Sequence, residues 1–176
     1  MIDLEKEIQD NEITVILCNS DYPEILNEII KQTSENFEKI GYVTLNKPYN
    51  TLIEIFKKNN VDLKKFGFVD AITKSVIKPE SIKNCVFISA PNALTEMSIV
   101  IKKVSESQHP DIFIFDSLSS LLVYEKGPTL IKFVHSLVEF LRVHKIKIIF
   151  IALKSDIDSA LIKDLSMFAD KMIKTS

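Results

Sequence analysis

Residues 111–121 read Asp111-Ile-Phe-Ile-Phe-Asp-Ser-Leu-Ser-Ser-Leu121. Ile112–Phe115 is wholly apolar, so it predicts a strand with no wet face, closed by the turn-forming pair Asp116-Ser117. A strand covered on both sides belongs in a parallel sheet between two helical layers. Working outward, the same short apolar runs recur at Ile13–Cys18, Gly41–Leu45, Phe66–Val69, Cys85–Ser89 and Ile146–Leu153, with a short closing run at Lys171–Lys174. Ile146–Leu153 is expected near the sheet centre.

Amphipathic stretches separate these runs. Tyr22, Ile25, Leu26, Ile29 and Ile30 make one stripe of a helix over 22–37, and Leu94, Met97, Val100, Ile101 and Val104 do so for 93–107. Shorter helices are expected over 48–58 and 158–169. The most periodic helix opens at Gly127-Pro128-Thr129 and ends near His144, with Leu130, Phe133, Val134, Leu137, Val138 and Leu141 on its buried face. Its apolar residues spread further, to Phe140 and Val143, which makes it a candidate partner surface. Asp21, Pro23 and Glu24 predict a cap, an early proline and a capping box, and Asn92 a cap for the helix after it. Residues 70–84 lack periodicity and are expected to cross the surface as a loop. The whole predicts an α/β fold, a mostly parallel central sheet with helices on both faces, as one domain over residues 1–176.

Composition excludes several function classes. Lys and Arg total 22 against 24 Asp and Glu, a net charge of −2, so no global field draws the chain to nucleic acid or an anionic membrane. The lysine pairs 57-58, 64-65 and 102-103 lack interleaved aromatics and read as solvated faces. Cys18 and Cys85 lie in apolar runs and are expected as buried free thiols. His109, His135 and His144 have no partner at ligand spacing, so no metal site and no cofactor is expected. The charged start, Met1-Ile-Asp-Leu-Glu-Lys-Glu7, lacks the apolar core of a signal peptide, and no run approaches a membrane span. A soluble, cytoplasmic protein is the expectation.

Three segments carry a family resemblance: Tyr42-Val-Thr-Leu-Asn-Lys-Pro48, Asp111–Leu121, and Leu161-Ile-Lys-Asp-Leu-Ser-Met-Phe-Ala-Asp-Lys171. With the strand–helix order between them, the chain resembles archaeal relatives of the KaiC branch of RecA-like ATPases over nearly its whole length. The resemblance implies a P-loop NTPase fold in which Ile112–Ser117 is similar to a Walker B element. It also implies a glycine-rich phosphate loop after the first strand, with a Lys for the phosphates and a hydroxyl for Mg²⁺. Here that loop reads Cys18-Asn19-Ser20-Asp21-Tyr22-Pro23-Glu24, with no glycine or lysine and one N–H lost to proline. A carboxylate ~5 Å from a phosphate charge costs on the order of 3 kcal/mol at an effective dielectric near 20, so Asp21 and Glu24 oppose a triphosphate. Where the resemblance implies adjacent catalytic glutamates, Asn46 and Lys47 stand.

Asp116 and Ser117, at the end of a parallel strand, can be read two ways. Locally, Asp116 caps the turn and Ser117 bonds to backbone, and Asn46 caps the helix near Pro48; this reading is preferred. Alternatively, Asp116, Ser117, Asn46 and Lys47 line a ligand site at the sheet's C-terminal edge. The resemblance gives Lys154 an interface role between subunits, against a solvated surface lysine. The leading functional expectation is a catalytically inactive module, not an enzyme, acting in regulation or signalling through a protein partner or self-association. Nucleotide, nucleic acid and membrane are not expected as partners. The alternatives are a non-hydrolysing binder of nucleotide or another small ligand, and a receiver-like phosphoacceptor built on Asp21, Asp70 and Lys154.

Overall fold

The computed structural model describes residues 3–125 and 127–175; Met1 and Ile2 of the charged N-terminal stretch, with Lys126 and Ser176, lie outside the described residues. In chain order the elements are α1 (Leu4–Asp10), β1 (Ile13–Cys18), α2 (Tyr22–Asn36), β2 (Ile40–Thr44), α3 (Tyr49–Lys58), β3 (Phe66–Asp70), α4 (Thr73–Val76) and β4 (Cys85–Phe87). There follow α5 (Leu94–Gln108), β5 (Ile112–Asp116), α6 (Leu118–Tyr124), α7 (Pro128–Val143), β6 (Lys147–Leu153), α8 (Ala160–Phe168) and β7 (Lys171–Lys174). The seven strands form one sheet in the order β4-β3-β2-β5-β6-β1-β7, and every pairing between them is parallel. The middle strand is β5; β6, expected at the centre, lies one place beside it.

Strand alternation divides the core into two layers, which is why the strands are apolar throughout. Ile13, Val15 and Leu17 of β1, Phe113 and Phe115 of β5, and Ile148 and Phe150 of β6 pack with α5, α7 and α8. The intervening Ile16, Ile112, Ile114, Ile149 and Ile151 pack with α2 and α3 on the other face. The predicted buried face of α7 is in place, whereas Val143 is 79% exposed. His135 on α7 has a partner that spacing did not reveal, since its Nε2 lies 2.5 Å from Asp164 Oδ2 on α8. Both cysteines are buried free thiols.

Local signals were less faithful than periodicity. Asp21 stands at the N-cap of α2 without capping it: its Oδ1 accepts from the Asn19 N–H at 2.8 Å, two residues back. The short connection turns the side chain away from the helix. Asn92 likewise offers α5 only its backbone, its C=O accepting from Leu94 N–H, and Ala93 takes the cap position. Besides the short α4, two helices were not anticipated. Asp3 caps α1, whose Ile8 is buried, and Ser117 caps α6 through its hydroxyl. The 70–84 segment is mostly irregular, as expected, with one turn of helix in α4. Among the described residues no helix is long and apolar enough to cross a membrane.

Candidate functional site

All parallel strands point their C-terminal ends the same way, and β2 and β5 are adjacent, so Thr44 and Asp116 are register partners at that edge. The loops after β1 and β2 converge on Asp116. Its side chain is fully buried, and it works across the sheet instead of capping its own turn. Oδ1 accepts from the Tyr22 hydroxyl at 2.6 Å and from Asn46 Nδ2 at 3.2 Å, while Oδ2 accepts from the Tyr42 hydroxyl at 2.6 Å. A carboxylate at a buried strand end needs donors, and these three supply them.

Asn46 is thereby not the cap of α3. Its amide also donates to Tyr22 Oη at 3.0 Å. Lys47 completes the cluster, with Nζ 3.2 Å from Tyr22 Oη and 4.6 Å from the centre of that ring. The start of α3 is held instead by Asp70, whose Oδ2 accepts from the Tyr49 N–H at 2.7 Å. Ser117 does the local work expected of it, accepting from the Ser120 N–H at 3.2 Å.

Burial, then the Asp116 charge, raises the phenols of both Tyr22 and Tyr42 above the ordinary tyrosine value. Both therefore stay protonated donors at neutral pH. Cys18, at the end of β1, is pushed up to about 12 by burial first, then by Asp21 and Asp116. That keeps it a thiol and a poor nucleophile. Asp21 is held below the usual carboxylate range by the Thr175 side chain first and by the Asn19 N–H next, with a smaller contribution from Lys154. Lys154 is half-buried in a turn after β6, its charge placed toward Asp21.

The β1–α2 connection is three residues, Asn19, Ser20 and Asp21, with Tyr22 and Pro23 already in the helix and Glu24 exposed on its first turn. Beside Tyr22 and Asn46 remains a hollow of about 290 Å³, floored by Ser117, Ser119 and Ala152 and rimmed by Val123 and Leu153. Of the phosphoacceptor trio, Asp21 and Lys154 are neighbours, but Asp70 ends β3. Strands β2, β5 and β6 lie between β3 and β1, a separation of roughly 19 Å. Asp70 is fully buried and accepts from the N–H groups of Tyr49, Ile72 and Thr73 and from the Thr73 hydroxyl.

Sequence reasoning grouped Asp116, Asn46 and Lys47 and named Tyr22 in the loop after the first strand, but did not anticipate that Tyr22 and Tyr42 bond to Asp116. A signal was present: a phenol in a strand covered on both faces must find a hydrogen-bond partner. Tyr42 is the only tyrosine within a strand.

No family model matches this chain, and neither does any curated protein. Among solved structures, the KaiC-like protein PH0186 of the hyperthermophilic archaeon Pyrococcus horikoshii OT3 is similar, with a TM-score of 0.67 at 15% identity, over 93% of this chain and 72% of that one. At such identity the likeness speaks for architecture alone: this chain has the KaiC-like RecA fold, a seven-stranded parallel sheet between two helical layers.

Proposed function

We propose that this chain is a RecA/KaiC-like module that does not hydrolyse nucleotide and works by binding, either a protein partner or a second copy of itself, in regulation or signalling. The observation that carries this reading is the engagement of Asp116. Its two carboxylate oxygens accept from Tyr22, Tyr42 and Asn46, so the group that would face Mg²⁺ is held by the chain's own donors. A three-residue connection without glycine offers too few converging N–H groups to cradle a triphosphate. Asp21 adds a negative charge there. These residues do not fit a Mg²⁺–nucleotide.

Binding surfaces are available. Val76 and Ile77 are 78% and 59% exposed and share one hollow with Val86 on the edge strand β4. Large apolar side chains exposed together are more often contact surfaces than accidents. The test pairs phosphate release from Mg-ATP with light scattering after size exclusion. The account expects no release above a blank, and a mass above the 20.1 kDa of one chain if the partner is a second copy. Sustained turnover would overturn the inactive reading; a monomer at every concentration would remove self-association.

The hollow beside Ser117 favours a second, narrower reading, a small neutral ligand at the C-terminal edge. At about 290 Å³ it sits at the lower limit of ligand pockets. Soaking a crystal with a small-fragment library would test it, and an empty hollow throughout would count against it.

A further inference from the structure

The opposite edge of the sheet carries a larger groove. At the N-terminal ends of β2 and β3, about 680 Å³ lies between the strand starts and the C-terminal turns of α5, where Ser107 and Gln108 form one wall. Lys39, Lys64, Lys65 and Lys83 line it, with Glu38 the one acidic group. Lys65 Nζ is 3.0 Å from Glu38 Oε1 and also donates to the Ser34 and Phe37 carbonyls. Four lysines against one glutamate line the groove, with Asp111 and Asp62 at its margin accepting from the Lys39 and Lys64 N–H groups, so its lining carries an excess of positive charge on a chain whose net charge is −2. Among the described residues the ammonium groups of Lys39, Lys64 and Lys83 make no ion pair. The sequence scattered them over different elements, and only the parallel register brings them to one edge.

We propose that this groove binds an acidic, extended segment of a partner protein. The groove lies along the sheet edge between strand starts and the end of α5, which suits a chain passing through it. Lys39 immediately precedes β2 and Lys83 lies two residues before β4, two strand spacings or roughly 10 Å apart, a span that about three extended residues cover. Carboxylates at alternate positions of such a segment would meet lysines from successive strands. Gly41 and Gly67, register partners on β2 and β3, also line the groove, with the Phe113 ring packed against Gly41 and the Gln108 side chain against Gly67. Nucleic acid fits less well. Phe66 is 3% exposed and offers no stacking face, and the chain's single arginine, Arg142, lies elsewhere, ion-paired with Asp170.

The three glycines of the chain give a direct readout, since Gly41 and Gly67 line the groove and Gly127 lies in the turn before α7. In ¹⁵N-labelled protein at low salt, an octaglutamate peptide should move the Gly41 and Gly67 amide signals and leave Gly127 in place. Lys39→Gln, Lys64→Gln and Lys83→Gln together should weaken that binding by about tenfold or more with unfolding temperature kept, and added salt should weaken it too. Failure of the peptide to move the two glycines at millimolar concentration would overturn the proposal. So would undiminished binding by the triple variant, or equal displacement by octathymidylate or tripolyphosphate. The inference rests on the reading of the chain as a binding module, and the two fail separately. Mg-ATP displacing the Asn46 side-chain amide would sink that reading while leaving the glycine result to stand on its own.

Discussion

The two edges of the sheet contrast in what holds them. At the C-terminal edge, Asp116 is buried beneath Tyr22, Tyr42 and Asn46, with Lys47 lying over the Tyr22 ring. At the N-terminal edge, Lys39, Lys64 and Lys83, which make no ion pair among the described residues, line an open groove beside the Lys65–Glu38 pair. Open α/β sheets ordinarily bind ligands at the first edge. In this chain the first edge is satisfied internally and the second carries unbalanced charge.

The largest expected effect breaks the closed edge. Asp116→Ala removes the acceptor of three donors and leaves the fully buried Tyr42 hydroxyl unpaired; at roughly 1–3 kcal/mol per stranded group, a total loss of about 3–5 kcal/mol should appear in urea denaturation. A loss below about 1 kcal/mol would mean that the network does not stabilise the fold. At the opposite edge, Gly41→Ala tests packing alone. A Cβ there would lie 2.2 Å from the Phe113 ring, inside contact distance, so the strand must shift at a cost of about 1–3 kcal/mol.

Tyr42→Phe sharpens the comparison by removing one donor and no volume. It should cost about 1–2 kcal/mol, and Tyr22→Phe less, because Tyr22 is only half-buried. A double-mutant cycle of either with Asp116→Asn should show coupling, and strict additivity would argue against a shared network. Lys47→Ala should be smallest, about 0.5–1 kcal/mol from the lost contact with the Tyr22 ring.

The pH dependence has a definite sign. Cys18 and Cys85 rise from the usual thiol value of 9.0 to about 12, each chiefly through burial. A folded value above the unfolded one means that the native state keeps protons the unfolded chain releases. The stability is therefore whole below pH 9 and is lost as pH climbs toward 12. Half-buried Tyr22 and buried Tyr42 act in the same direction. Thermal melts from pH 8 to 11 should show a steady fall, and replacing Cys18 by Ala should flatten part of it.

Much of the fold was legible because its strands are covered on both faces. Ile13–Cys18 and Ile112–Phe115 have no polar residue on a wet side to misplace, apart from the buried Thr14, and the helices between them keep one apolar stripe each. What failed was short-range polar logic. Asp21, Asn46 and Asn92 each stood where a cap belongs. Asp21 turned back to Asn19, Asn46 crossed to Asp116 seventy residues away, and Asn92 used only its backbone. Whether a side chain serves its own turn or a distant strand depends on which strands become neighbours. That order, with β2 beside β5, is written in no local spacing. The same limit hid the basic groove, whose lysines come from three separate places in the chain.

The most direct test of the closed edge is thermal unfolding with and without millimolar Mg-ATP or Mg-ADP. A ligand at 100 times its dissociation constant stabilises by about 2.7 kcal/mol, which is several degrees for a domain of this size. The account predicts superimposable melts for the native chain. A rise of several degrees, with Tyr22 and Tyr42 intact, would contradict it, because it would show that the nucleotide reaches an edge the chain's own side chains are held to fill.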